Sequence, residues 1–107
     1  MEKIIKITLS TLILISIASV SANASAIKGQ KLYLKKLKYV CGMNGGAMAS
    51  KYSTAQWEAI NAKGEISQEI KRICPKVKDS ALKEGFIPHY FDFFKEYSND
   101  SGNIPAC

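Results

Sequence analysis

Gly29-Gln30-Lys31-Leu32-Tyr33, followed by Leu37-Lys38-Tyr39-Val40-Cys41, is the stretch on which the fold turns. Gly29, Leu32, Tyr33, Leu37 and Val40 recur at helical spacing and make one stripe, so the pattern predicts a helix from about Ile27 to Val40. Lys28, Lys31, Lys35, Lys36 and Lys38 fall mostly off the stripe, where their ammonium heads stay in water. Gly42-Met43-Asn44-Gly45-Gly46 then breaks the helix, with Gly42 placed to cap its C-terminus.

The rest of the chain also reads as helical. No segment alternates with a period of two, and no Asn-Gly hairpin sits between β-branched runs. Ser53 with Gln56 forms a capping box ahead of a short helix over Thr54 to Ala62, with Trp57 and Ile60 facing inward. Gly64 stops it. A third helix runs from Glu65 to Cys74, where Ile66, Ile70, Ile73 and Cys74 share a face and Pro75 ends the run. Residues 75–85 read as an irregular basic loop. Pro88 suits the first turn of a last helix, whose aromatic face is Ile87, Tyr90, Phe91, Phe94 and Tyr97.

The N-terminus has a different character. Lys3 and Lys6 precede an apolar run from Leu9 to Val20, and Ala22-Asn23-Ala24 is a small-x-small cleavage site, with Ala24-Ser25-Ala26 as a second. Residues 1–24 are therefore expected to be a signal peptide and residues 25–107 a single exported domain, periplasmic or secreted, with no stable membrane insertion after cleavage. Removing the signal leaves 13 basic and 8 acidic side chains, a net charge of +5. That excess is spread out, and no binding motif or interleaving of aromatic and basic residues points to nucleic acid.

Three cysteines remain in an oxidising compartment: Cys41, Cys74 and Cys107. The odd count leaves one thiol over or joins two chains. Cys107 ends a polar tail that frays unless tied down, so it is expected to be bonded, to Cys41 or to Cys74.

Gly29 and Tyr33 on the first helix, with Phe94 and Tyr97 on the last, make the chain resemble a class I cytochrome c domain. In that family a Gly and an aromatic four residues later pack against aromatics of the closing helix. The resemblance spans Gly29 to about Tyr97 and implies an all-α cytochrome c-like domain of about four helices. It also implies that the first and last helices cross with their C-terminal ends close, which favours a Cys41–Cys107 disulfide and leaves Cys74 a buried free thiol.

The departures from the family bear on function. The first haem cysteine of the Cys-x-x-Cys-His motif would fall at Leu37, the second at Val40 and the proximal His at Cys41. Neither thioether can form. Residues 75–86 hold neither Met nor His where the family places its distal Met. The resemblance therefore implies a frame without covalent haem, its interior filled by Trp57 and the closing helix's aromatics, since each large aromatic buries roughly 150–250 Å². No cofactor is expected.

The first expectation is thus an exported, non-catalytic accessory or binding domain with a periplasmic protein partner. Haem electron transfer is the first alternative, with Cys41 and His89 as substitute iron ligands. A soft-metal site of Cys41, Met43 and Met48, suited to cuprous copper, or a thiol-reactive role for the unpaired cysteine, is the second. Asn99-Asp100-Ser101 matches a glycosylation acceptor.

Overall fold

The computed structural model describes residues 24–103. Residues 1–23 of the expected signal, and Cys107 with its expected bond, lie outside them. All regular structure among the described residues is helical. Helix α1 covers residues 24–36, α2 Lys38–Cys41, α3 Gly45–Ala49, α4 Thr54–Ala62, α5 Ile66–Ile73 and α6 Ile87–Glu96, with a 3₁₀ turn at Asp79–Ala81. Six α-helical segments thus stand where about four helices are expected. The difference arises in the glycine-rich region, which forms α3, and at Leu37, where the first helix is interrupted. Backbone bonds from Leu37 N–H to Tyr33 and from Cys41 N–H to Leu37 carry α1 into α2 almost without a break.

The local chemistry follows the predicted signals. Gly42 caps α2 in the left-handed conformation at φ 64°, its N–H bonded to the Lys38 carbonyl. Asn44 caps α3 by accepting from the Ala47 N–H. Ser53 and Gln56 make both halves of the capping box on α4. Gly64 ends that helix at φ 69°, and Pro88 sits in the first turn of α6.

One aromatic core joins the helices. Trp57 stacks on Phe94 at 4.7 Å between ring centroids, and Tyr52 meets Trp57 edge-on at 5.1 Å. Tyr33 lies 5.9 Å from Phe93 and 6.2 Å from Phe94. Tyr33, Trp57, Tyr90, Phe93 and Phe94 are all fully buried. Their polar ends are satisfied by backbone: Trp57 Nε1 donates to the Ala49 carbonyl at 2.8 Å, Tyr90 OH to Ala81 at 2.8 Å and Tyr33 OH to Met43 at 2.9 Å. In a buried aromatic with a bonded polar end, that bond offsets the cost of taking the polar group out of water, so the burial of the ring stabilises. The loop after α5 is pinned from beneath by Val77, Ala81 and Leu82.

Two details differ from the sequence reading. Phe93 is fully buried, whereas Phe91 is only half-buried under the Lys95 ammonium, 5.1 Å from its ring. Tyr90, Phe93, Phe94 and Tyr97 thus form the inner stripe of α6 at i, i+3, i+4 and i+7. The inner stripe of the first helix also stops at Leu37, because Val40 is 41% exposed.

Candidate functional site

The first helix meets the last at Gly29. A Cβ built there would lie 1.9 Å from the His89 carbonyl oxygen and 2.9 Å from Phe93 Cβ. Ser25 Oγ and His89 Nδ1 share a 2.9 Å hydrogen bond at the same crossing. Gly29 meets His89 and Phe93, a residue outside the expected packing set, while Tyr33 of that set meets Phe94 and also Phe93. Tyr97 joins through Phe93 at 5.5 Å, and with Glu96 it borders a shallow recess shared with Ala26 and Ile27.

The end of α6 therefore lies beside the start of α1, away from Cys41, and this geometry corrects the expected disulfide. Cys41 is bonded to Cys74, with Cα atoms 5.2 Å apart. Helix α5 delivers Cys74 to the C-terminal end of α2, which α6 does not approach with its own C-terminus. Cys74 is buried, as expected, but it is not a free thiol.

The substitute haem ligands are not brought together. His89 faces Gly29 and Ser25, whereas Cys41 lies three helical turns further along, roughly 18 Å at the ordinary helical rise. Metal–ligand bonds of about 2 Å cannot bridge that span. A sulfur held in a cystine also offers no thiolate to iron or to cuprous copper. Met48 is fully buried in the core, and Met43 packs partly buried against it, so the Cys41, Met43 and Met48 set does not form an open sulfur site. At the positions matching the haem motif, Leu37 is a fully buried core residue, Val40 is exposed and Cys41 is crosslinked. Among the described residues, Cys41 and His89 are not placed as a pair of haem ligands. No group of three or more His, Cys, Asp or Glu side chains placed to hold a metal occurs among the described residues.

The cystine instead borders a depression of about 500 Å³, walled by Tyr39, Val40, Cys41 and Gly42 on one side and Ile73, Cys74, Pro75 and Lys76 on the other. Tyr39 is 86% exposed, the most exposed large apolar side chain described. The helical stripe predicts Val40 on the inner face and assigns Tyr39 no role. The available signal was their spacing from lysines: Lys35 is four residues before Tyr39, and Lys36 four before Val40.

No protein-family profile, curated protein or solved structure matches this chain significantly.

The two chain segments that wall the depression are rich in basic residues. Residues 28–51 carry six lysines and no acid, and residues 71–78 carry Lys71, Arg72, Lys76 and Lys78 and no acid. Lys71 is paired with Asp79 at 2.6 Å, and Arg72 with Glu69. Tyr52 OH donates to the same Glu69 carboxylate and accepts from Arg72 at 2.6 Å. The Arg72 guanidinium, assisted by Tyr52, holds the Glu69 carboxyl below its ordinary value. Bonding to Glu69, with some burial, pushes the Tyr52 phenol up. Lys28, Lys31, Lys35, Lys36, Lys38, Lys76 and Lys78 form no ion pair among the described residues. No described helix is long and apolar enough to cross a membrane.

Proposed function

We propose that this chain is an exported, non-catalytic binding domain on a cytochrome c-like helical frame that carries no covalent haem. The observation that carries the proposal is the filling of the frame's centre. Trp57 stacks on Phe94, and Leu37, in the position of the first haem cysteine, is packed into the same core. The close crossing of α1 and α6 at Gly29, with Tyr33 against Phe93 and Phe94, supports the family resemblance. The sequence patterns at residues 1–24 support export to the periplasm or beyond.

The test is the protein purified after export from a host that matures c-type cytochromes. Its absorption spectrum is expected to show no Soret band, and its intact mass to show cleavage after residue 24 or 26. A stoichiometric Soret band would overturn the proposal.

A further inference from the structure

Tyr39, Val40 and the Cys41–Cys74 cystine form an apolar surface inside a basic rim. The rim follows from helix geometry. Lys28, Lys31, Lys35 and Tyr39 stand at i, i+3, i+7 and i+11, so a line of exposed ammonium groups leads along one face of the first helix to the tyrosine. Lys36 flanks Val40 in the same way, and Lys76 closes the opposite wall. Holding Tyr39 in water leaves a large apolar ring unburied beside Val40, Ile73 and Pro75. An apolar centre with a polar rim is the anatomy of a protein-binding patch, and tyrosine is among the commonest energetic anchors of such patches.

We propose that this depression docks an acidic polypeptide segment of another protein, with one apolar side chain of that segment inserted between Tyr39 and the cystine. The inference deepens the binding-domain proposal and rests on it. Charge complementarity selects the occupant. A second copy of the chain would set lysine against lysine, which opposes self-association. An anionic membrane is less well matched. Interfacial helices present a long, continuous apolar face, whereas here the apolar surface is a concave depression at one helix end, reached along a face lined by lysines. The lysine line would draw the segment in from a distance, and the depression would hold it.

The test uses the exported protein and immobilised peptides in which Asp and Glu flank a single Leu, Phe or Trp. Lysine-flanked peptides and acidic peptides without the apolar residue are the counterparts. Expected is binding to the acidic apolar peptides alone, weakening as salt rises. Tyr39→Ser should reduce that affinity about tenfold or more. Lys35→Glu with Lys36→Glu and Lys76→Glu should slow association and flatten its salt dependence. Ile27→Ser, at an exposed apolar residue beside Ala26 and Tyr97, should change nothing.

Equal or tighter binding to phosphatidylglycerol-rich vesicles or to a single-stranded oligonucleotide would overturn the inference. So would peptide binding that survives Tyr39→Ser, or no peptide binding at all. In each of these outcomes a colourless preparation leaves the binding-domain proposal standing. A Soret band in the same sample strikes that proposal itself.

Discussion

Gly29 and the His89 carbonyl occupy the same volume that a methyl group would need: a Cβ on Gly29 would sit 1.9 Å from that oxygen and 2.6 Å from its carbon. The first and last helices approach so closely that only hydrogen fits between them. The obstacle is backbone, which cannot swing aside as the end of a flexible side chain would. Glycine in a helix ordinarily costs about 1 kcal/mol relative to alanine, so at an open position Gly→Ala would stabilise. Gly29→Ala should instead destabilise by about 1–3 kcal/mol, because overpacking outweighs the gain in helix propensity. Denaturant unfolding measures the difference. Gly85→Ala, where a Cβ would meet nothing within 4 Å, is the matched control and should be close to neutral.

The cystine closes a loop between residues 33 apart in sequence. Chain-entropy reasoning assigns a crosslink of that span about 3–4 kcal/mol. For a domain of this size that is comparable to what a single apolar core supplies. Cys41→Ala with Cys74→Ala should lower the unfolding free energy by an amount in this range, and reductant should have little further effect on the double variant. Peptide mapping of the unreduced protein should join the Cys41 peptide to the Cys74 peptide. Finding Cys41 joined to Cys107 would contradict the structure.

Trp57 combines full burial, stacking on Phe94 and a bond from Nε1 to the Ala49 carbonyl. Trp57→Phe keeps much of the packing but leaves that carbonyl without its indole partner. It should cost about 1–3 kcal/mol, whereas Trp57→Ala should cost about 3–5 kcal/mol through the cavity it opens. Near-ultraviolet circular dichroism should lose its tryptophan signature in both variants, while far-ultraviolet helicity persists in Trp57→Phe.

Acid should unfold the domain partly through Asp100 and Glu69. Asp100 accepts from the Thr54 N–H at 2.8 Å at the N-terminus of α4, and this backbone donor foremost holds its carboxyl below the ordinary value. Glu69 is lowered in the same direction, chiefly by Arg72. A carboxyl lowered in the folded state stabilises above its unfolded pKa of about 4, and the contribution is lost as pH falls through the folded value. The melting temperature should therefore fall with acidification below about pH 4. Asp100→Asn and Glu69→Gln should each flatten the decline while lowering the melting temperature at neutral pH.

The alkaline limb has the opposite origin. Burial pushes the Tyr90 phenol up to about 12, while the unfolded chain ionises near 10. Stability from this residue is complete below about pH 10 and is lost as pH rises from there towards the folded value. Tyr90→Phe should flatten this limb in melting temperature scanned against pH. At neutral pH it should cost about 1 kcal/mol, because Ala81 loses its hydroxyl partner.

Local features proved readable because each depends on a few neighbouring residues. The Gly42 cap, the Ser53–Gln56 box and the Pro88 start all act within one turn of chain, so residue type and spacing dictate them. The helical class follows likewise from periodicity. The packing role of Gly29 against the closing helix came from the cytochrome c resemblance, not from residue pattern alone, and the structure places His89 and Phe93 against it. The resemblance named the right helix, but the residue pattern put Phe91 instead of Phe93 on its inner face.

Residue type and spacing by themselves determined that the chain is helical, where most helices begin and end, and that a Cys-x-x-Cys-His haem attachment is absent. Only the tertiary structure decided that Cys41 bonds Cys74, that His89 is far from Cys41, and that Tyr39 and Val40 stand open beside the cystine. The reason is geometric. Caps and periodic stripes are fixed by bonds and contacts three or four residues apart. Pairing between helix ends depends on the direction in which α1 and α6 cross, and that direction is set by the summed packing of Tyr33, Trp57, Phe93 and Phe94 across the whole core.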